Sequence, residues 1–411
     1  MNQLLQKCMV TCIRLIAIAA FTVGLCGTPI STVFAADGWF TTWAGPAQDP
    51  GVSGSTFPPD TTIREAVWGN FFGDSVRVKF SNLYGTTPLA IGTASIGIKL
   101  NVNDQTISPA TLRALTFGGK PSVSVPPGGV VLSDVVALKV PQLTDLEVSI
   151  YLPNGSGESV MYPGSKKTTY IGSGDQTLAY SMNFTSTSAN GFFIAAVETH
   201  STTGAGVVAA VGDSIVAGGG STGQNTKWSD RLAVRLQSFS SPHKLSVLGL
   251  GIGGNRTLSG ALSNPAALAR FDSDVLGMAG LTHIIMADGI NDLGSSATNP
   301  GGPPFPEDVE NGLRQLVERA HARGVKVIGT TMGPAWGFRG YENIDSKRLA
   351  YNLWVRTVGV TILDGLIDFD AVLNDPSNPS HMLPQYLTDG IHPNNAGHQA
   401  MADAIDLNLF Q

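Results

Sequence analysis

The 411-residue sequence has few charged residues and very few cysteines. Only 14 % of the residues are charged, and the net charge of −6 comes without a basic run. A mildly acidic chain of this kind is a poor partner for phosphate backbones, so we predict no nucleic-acid binding. The only cysteines are Cys8, Cys12 and Cys26, all close to the N-terminus.

These cysteines lie in a segment that has the pattern of an export signal. Lys7 and Arg14 flank its start, an apolar run extends from Leu15 to Leu25, and Val33-Phe34-Ala35 offers small residues at a cleavage spacing. The apolar run is shorter than the ~20 residues that a membrane-spanning helix needs. We therefore predict a signal peptide over residues 1–35 and a secreted or periplasmic protein with no membrane span after signal removal.

Removal of that segment would leave the mature chain without cysteine. Disulfides, a thiolate nucleophile and a cysteine-ligated zinc site are then excluded. Glycine, by contrast, is abundant at 49 residues, which suits a turn-rich protein.

Residues 36–200 predict an all-β domain, a sandwich or jelly roll. Short segments alternate apolar and polar residues, and Pro, Gly, Asn and Asp separate them, as is typical of such folds. A polar connection from Glu198 to Gly206 is predicted to lead into the next domain, with a solvated histidine at position 200. The clearest strand candidates are residues 76–80, 94–100 and 146–152.

Residues 205–411 alternate strands with helices. This rhythm predicts an α/β domain with a doubly wound parallel sheet and helices on both faces. Among the helical patterns, Leu349 and Leu353 are predicted to share an apolar face, and the last helix is predicted from about Asn394 to Leu409. The strand candidates are Val207–Val211, Leu245–Leu250, His283–Ala287, Val325–Thr330 and Leu366–Phe369.

The first of these strands ends at a serine. The apolar run Val207–Val211 stops at Gly212-Asp213-Ser214, which places Ser214 at the carboxyl edge of the sheet, where open α/β folds bind ligands. A serine hydroxyl is a weak nucleophile at neutral pH and needs an adjacent base. His392 can accept its proton, and Asp389, three residues earlier, can hold the other ring nitrogen. The sequence therefore predicts Ser214, His392 and Asp389 as a catalytic triad.

Glycine and asparagine follow the next two strands. Backbone N–H groups of Ser214 and Gly254 and the side-chain amide of Asn291 are predicted to bind the oxyanion of the reaction. Gly251 and Gly253 are alternatives to Gly254 for this role. Asp213 and Asp292 are predicted to hydrogen bond the loops that hold Ser214 and Asn291.

Ser214, Gly254, Asn291 and His392 occur in the order and spacing of the four blocks of the SGNH (GDSL-type) serine hydrolases, with Asp389 in the last block. Residues 205–411 resemble that family. The resemblance implies a flavodoxin-like α/β/α fold and hydrolysis of carboxylic esters through an acyl-enzyme, with no metal and no other cofactor.

The resemblance extends more loosely upstream and departs from the family at one position. Residues 76–85 are similar to the β domain that precedes the catalytic domain in some secreted bacterial members. Gly249 stands where many members carry Asn. This position is not catalytic, so the difference affects the geometry of a loop and not the expected activity.

Two other functions fit parts of the sequence. Gly249, Gly251 and Gly254 have the spacing of a dinucleotide fingerprint, which would indicate a nicotinamide-dependent oxidoreductase, but the fingerprint normally opens the first strand–helix unit and here follows the second strand. A catalytically inactive glycan-binding surface protein is the other alternative.

The intact set of site residues favours a secreted serine esterase for short- to medium-acyl or acetyl esters. Its substrate is a small-molecule, lipid or acylated-carbohydrate ester.

Overall fold

The computed structural model of the protein describes residues 36–49, 56–162, 166–239, 244–294, 304–341 and 343–411. The described residues all belong to one compact unit. The predicted signal peptide, residues 1–35, lies outside them. Within the described ranges, no helix combines the length and apolar character needed to cross a membrane.

The strands, in chain order, are β1 (Ala36–Ala44), β2 (Thr61–Gly69), β3 (Gly73–Ser81), β4 (Leu89–Ile91), β5 (Thr93–Ile98), β6 (Arg113–Leu115), β7 (Val123–Val125), β8 (Val130–Leu132), β9 (Val136–Val140), β10 (Thr144–Leu152), β11 (Met161–Tyr162), β12 (Thr169–Ser173), β13 (Ser186–Ser188), β14 (Gly191–Phe192), β15 (Ile194–Gly212), β16 (Lys244–Gly251), β17 (Leu281–Ala287), β18 (Lys326–Thr330), β19 (Gly365–Ile367), β20 (Asn374–Asp375) and β21 (Asn378–Met382).

The helices are α1 (Ser214–Ala217), α2 (Trp228–Ser238), α3 (Ala267–Arg270), α4 (Ile290–Gly294), α5 (Pro306–His321), α6 (Asp345–Thr357), α7 (Phe369–Leu373) and α8 (Asn395–Asp403). A π-helical turn (Phe271–Leu276) follows α3, and short 3-10 helices lie at Pro109–Thr111, Gly359–Thr361, Pro384–Tyr386 and Leu407–Phe410.

The C-terminal half of β15 is the centre of a parallel sheet. It pairs with β16 on one side and β17 on the other, and β18 and β19 continue the sheet. The order β16-β15-β17-β18-β19 is the 2-1-3-4-5 order of flavodoxin-like folds. Alternate residues of β15 point to opposite faces: Val207, Ala209 and Val211 pack with α5 and α6, whereas Val208 and Ala210 pack with α2 and α8. The predicted doubly wound fold is confirmed.

The N-terminal half of β15 belongs to a β-sandwich. It pairs antiparallel with β1 and β3, and β8 and β9 pair with β3. A separate antiparallel sheet has the order β13-β12-β2-β10-β5-β6. Ile63 and Val148 of this second sheet share a buried apolar cluster with Val78 of β3. The predicted all-β region is therefore confirmed as two sheets packed over one core.

The segment Glu198–Gly206 is part of β15 and not the polar connection that its composition predicts. Its polar side chains have partners in the sheet: Arg77 Nε lies 2.6 Å from Glu198 Oε2. His200 is not a solvated linker residue either, because it pairs with Trp39 and Ser75 of the neighbouring strands. One strand thus runs from the sandwich into the parallel sheet, through the boundary predicted between residues 200 and 205.

Two helix predictions also differ from the structure. The last helix ends at Asp403 and only a 3-10 turn follows it. In α6, Leu349 and Leu353 are exposed, at 42 % and 62 % of their surface, whereas Arg348 and Asn352 are fully buried. The polar residues take the inner face because they find partners there. Arg348 pairs with the carboxylates of Asp345 and Asp370, and Asn352 bonds the backbone N–H and C=O of Met332.

Candidate active site

Ser214 stands at the carboxyl end of β15, as the first residue of the one-turn helix α1. The Asp213 side chain caps this helix by accepting the N–H of Ile215 at 2.8 Å, as predicted for an Asp before a helix. Gly218, with φ of 91°, ends it after a single turn. The strand and the cap therefore fix the backbone that carries the Ser214 hydroxyl.

His392 lies between Ser214 and Asp389. Its Nε2 is 2.8 Å from Ser214 Oγ, and its Nδ1 is 2.8 Å from Asp389 Oδ2. The other carboxylate oxygen of Asp389 accepts the backbone N–H of His392 at 3.0 Å. Partial burial acts to raise the pKa of Asp389, but the hydrogen bonds from the His392 side chain and backbone outweigh it and the pKa is lowered. Asp389 is thus held as a carboxylate against the ring.

A turn of three glycines, residues 218–220, backs the ring of His392. A Cβ at Gly219 would lie 2.5 Å from His392 Cδ2, and one at Gly220 would lie 3.0 Å from His392 Cβ. The Gly219 N–H also donates to the Ser214 carbonyl at 2.6 Å. These glycines therefore let the backbone approach the His392 ring more closely than any side chain would permit.

His398, which the sequence places outside the site, holds this turn. It is fully buried in α8, its Nδ1 accepts the N–H of Trp228 at 3.3 Å, and its Nε2 lies 3.0 Å from the Gly219 carbonyl oxygen. Burial lowers the pKa of His398 to about 4, so the ring is neutral at pH 7. With Nδ1 as acceptor, Nε2 carries the proton and donates to Gly219.

The two turns predicted to bind the oxyanion flank Ser214. Gly212 pairs with Gly251 of β16 and with Ala287 of β17, so the residues after these two strands lie on either side of the residues after β15. Gly254 has φ of 69°, in the left-handed region that glycine adopts readily. The turn that contains Gly254 thus depends on a glycine at this position.

The amide of Asn291 has a fixed orientation. Its Nδ2 donates to the Asn255 carbonyl at 2.8 Å, and its Oδ1 accepts the Tyr341 hydroxyl at 2.6 Å. Among the described residues the second N–H of Nδ2 has no acceptor, so it can serve a ligand. Tyr341 is a partner of Asn291 that the sequence did not predict, because no pattern near Asn291 points to a residue 50 positions away.

A buried guanidinium joins the strand ends beneath the site. Arg270 donates from Nη2 to the carbonyls of Gly212 (3.3 Å) and Leu250 (2.9 Å), and from Nε and Nη2 to Asn255 Oδ1 (3.1 and 2.8 Å). Asn255 in turn accepts from Asn291 through its backbone. Arg270 therefore couples the ends of β15 and β16 to the loop that orients Asn291. It too was missed, since α3 carries no motif.

Three carboxyl groups lie buried around the strand ends. Burial raises the pKa of Asp213 well above its ordinary value, that of Asp288 to about 6 and that of Asp292 to about 7. Asp292 accepts the N–H groups of Thr257 (2.8 Å) and Leu258 (3.0 Å), which orders the loop after Gly254. In the part of the chain that the structure describes, no three acidic, histidine or cysteine side chains are grouped so as to hold a metal ion.

Two of the three glycines of the dinucleotide-like pattern, Gly249 and Gly251, serve close packing. A Cβ at Gly251 would lie 2.2 Å from the N atom of Ala217 in α1, and one at Gly249 would lie 2.8 Å from Lys227 Nζ. The end of the Lys227 side chain thus occupies the space that a side chain at position 249 would need. The spacing of these glycines has a structural cause that requires no nucleotide.

Known proteins are similar to the C-terminal half of the chain. Residues 210–400 match the GDSL-like lipase/acylhydrolase family. A GDSL-like lipase from Bacteroides thetaiotaomicron has 20 % sequence identity, with 50 % of this chain and 87 % of that chain covered and a TM-score of 0.38. An acetyl-xylooligosaccharide esterase from Geobacillus Stearmophilus has 20 % identity, with 49 % of this chain and 92 % of that chain covered and a TM-score of 0.39.

An α/β hydrolase from the metagenome of Lake Arreo has 24 % identity, with 49 % of this chain and 93 % of that chain covered and a TM-score of 0.38. No curated protein matches the chain. The family match spans Ser214, Gly254, Asn291, Asp389 and His392. Residues 210–400 therefore match the GDSL-like lipase/acylhydrolase family, and this match supports a carboxylic ester hydrolase.

Proposed function

We propose that the protein hydrolyses esters of short or medium acyl chains, acetyl esters included, through an acyl-enzyme on Ser214. The observation that carries the proposal is the continuous pair of hydrogen bonds from Ser214 Oγ to His392 Nε2 and from His392 Nδ1 to Asp389 Oδ2, each 2.8 Å long. A serine, an imidazole and a carboxylate in this order form the arrangement that activates a hydroxyl at neutral pH.

In the proposed reaction, Ser214 Oγ attacks the acyl carbonyl and passes its proton to His392 Nε2. The N–H groups of Ser214 and Gly254 and the Asn291 amide stabilise the oxyanion, and each such donor is typically worth ~3–4 kcal/mol. Collapse of the intermediate breaks the ester C–O bond, and His392 protonates the leaving alcohol. His392 then deprotonates a water molecule that attacks the acyl carbon and releases Ser214.

The surroundings of His392 support a substrate with an apolar portion. Phe338 stands edge-on to the His392 ring with 5.5 Å between ring centroids. Trp336, on the same loop, is 45 % exposed. Aromatic side chains offer large apolar contact area to an acyl chain or to the apolar face of a small alcohol. The alcohol portion belongs to a small molecule, a lipid or an acylated carbohydrate.

Hydrolysis of p-nitrophenyl esters from acetate to palmitate by the mature protein, beside Ser214→Ala, tests the proposal. We expect activity that is greatest toward the short and medium esters and absent from Ser214→Ala. A fluorophosphonate probe should label Ser214 and no other residue. Activity that survives in Ser214→Ala would assign the nucleophile to another residue. The absence of both hydrolysis and fluorophosphonate labelling would indicate a catalytically inactive site.

We also propose that the protein is secreted or periplasmic. The support is the export-signal pattern of residues 1–35. N-terminal sequencing of the protein recovered outside the cytoplasm should find a mature chain that begins at Ala36 or Asp37. A chain that retains residues 1–35 and stays in the cytoplasm would contradict this proposal.

A further inference from the structure

Lys166 belongs to the β-sandwich part of the chain, but its side chain ends at the turn behind the catalytic serine. Its Nζ lies 2.6 Å from the carbonyl oxygen of Gly218, 2.5 Å from that of Ser221 and 2.7 Å from Ser221 Oγ. An ammonium group has three N–H donors. The three donors of Lys166 are therefore matched by three acceptors of a single turn, residues 218–221.

This turn contacts both members of the proposed proton-transfer pair. Gly219 donates to the Ser214 carbonyl at 2.6 Å. The backbone of Gly219 and Gly220 lies against the ring and the Cβ of His392, with no room for a side chain. A displacement of the turn would therefore change the position of His392 relative to Ser214.

The turn is held from two sides. His398 of α8 donates to the Gly219 carbonyl at 3.0 Å, and Lys166 holds the carbonyls on either side of Gly219 and Gly220. His398 comes from the catalytic half of the chain, whereas Lys166 lies between β11 and β12 of the sandwich. The second support is therefore the sandwich's own contribution.

The backbone of Lys166 is in an uncommon conformation. Its φ of 54° lies in the left-handed region, which residues other than glycine seldom adopt. Such a conformation persists only when the surrounding structure fixes it, and these conformations cluster at functional sites. Partial burial and the nearby Lys227 ammonium also lower the pKa of Lys166, as expected for an ammonium group packed against the turn. Both observations indicate a residue that is fixed in place at the turn.

We infer that Lys166 is a positioning residue for ester hydrolysis: it fixes the turn 218–221 and, through that turn, the His392 ring relative to Ser214. The inference rests on the proposed role of His392 as the base. It gives the β-sandwich a direct part in the reaction, because one of its side chains sets the geometry of the proton transfer.

Lys166→Met tests the inference in the full chain, with p-nitrophenyl acetate as substrate. Removal of the three hydrogen bonds should lower kcat about 10- to 100-fold, since a misplacement of ~1 Å at a reacting group can reach 10²-fold, and should leave KM almost unchanged. Lys166→Arg retains a cation with several donors and should restore part of kcat. Lys120→Met removes an exposed lysine from the same half of the chain and should behave as the wild type.

Exhaustive labelling with a fluorophosphonate counts the folded sites, so kcat is compared per labelled site. Ser221→Ala removes one of the three acceptors and should give a smaller defect of the same kind, which keeps the test valid if Lys166→Met does not fold. A kcat per labelled site equal to that of the wild type in both variants would overturn the inference, because Lys166 would then serve stability alone.

A second measurement separates this inference from the proposed function. The proton on His392 Nδ1, bonded to Asp389, should give a low-field ¹H NMR signal that is lost in His392→Ala. In Lys166→Met this signal should shift or broaden, whether or not the wild type hydrolyses an ester. Inactivity of the wild type on every ester would contradict the proposed function but not the positioning role of Lys166. An unchanged signal in Lys166→Met would contradict the positioning role.

Discussion

The backbone of Gly219 lies against the imidazole of His392, so that a methyl group at Gly219 would stand 2.5 Å from His392 Cδ2. Gly219 also donates its N–H to Ser214 and accepts a hydrogen bond from His398. A single glycine thus contacts Ser214, His392 and the buried His398. The glycine-rich turn after Ser214 therefore restricts the position of the His392 ring.

Gly219→Ala should abolish most of the activity while the protein remains folded. The added Cβ displaces the His392 ring and breaks its hydrogen bond to Ser214, so kcat should fall by about 10²-fold or more. Gly38→Ala is the matched control, because nothing lies within 4 Å of a Cβ there. Steady-state kinetics with thermal unfolding checks both variants. Full activity in Gly219→Ala would show that the ring tolerates displacement.

Tyr341→Phe should weaken stabilisation of the oxyanion. It removes the hydroxyl that donates to Asn291 Oδ1 at 2.6 Å, so the Asn291 amide loses the contact that fixes its orientation. We expect kcat to fall, but by less than the 10²–10³-fold typical of the loss of an oxyanion donor, as in Asn291→Ala. In the Asn291→Ala background, Tyr341→Phe should have no further effect on kcat. An equal loss in both backgrounds would refute the coupling.

Asp389→Asn should reduce kcat on the order of 10³- to 10⁴-fold, the effect typical of this change in a serine hydrolase triad. An amide next to His392 Nδ1 favours the tautomer whose Nε2 carries the proton, and such a ring cannot accept the proton of Ser214. The rate of fluorophosphonate labelling should fall in parallel. Asp403→Asn, an exposed carboxylate at the end of α8, serves as the control. A loss of only a few-fold would assign Asp389 a minor role.

The stability of the sandwich should decrease as the pH rises through neutrality. Burial of Glu65 in the core raises its pKa from 4.5 to about 8, so the folded state keeps a proton that the unfolded chain releases. The free energy of unfolding should therefore fall between about pH 4.5 and pH 8, by at most ~1.4 kcal/mol per pH unit for this one proton.

Glu65→Gln should flatten that decline, because the neutral amide keeps an acceptor for the Phe192 N–H and does not titrate. Glu147, whose pKa burial raises to about 7, should leave a residual slope. Urea unfolding at a series of pH values measures the effect, with the exposed Glu318→Gln as the control. Parallel curves for Glu65→Gln and the wild type would contradict the assignment.

Much of the parallel sheet and of the site could be predicted because the signals are local. Val207–Val211 is an apolar run that ends at Asp213 and Ser214, and the strand period and the cap are properties of neighbouring residues. Asp389 and His392 are three residues apart, so their contact needs only one turn. The structure brings these residues together with Ser214 at 2.8 Å.

Predictions failed where polar residues found distant partners. The segment Glu198–Gly206 has the composition of a linker, but Arg77, 121 residues away, pairs with Glu198 and makes a strand possible. In α6 the apolar Leu349 and Leu353 lie outside because Arg348 satisfies its charge on the buried side. In both cases a tertiary contact outweighs the local pattern.

The sequence by itself indicated the class of chemistry, because Ser214, His392 and Asp389 each stand next to a strand end or a helix start that their neighbours specify. Only the tertiary structure decided what holds them in place. Lys166 reaches Gly218 across 52 residues, Tyr341 reaches Asn291 across 50, and His398 reaches Gly219 across 179. Such contacts produce no periodic pattern in a single sequence, because each depends on which separate elements pack together in the folded protein.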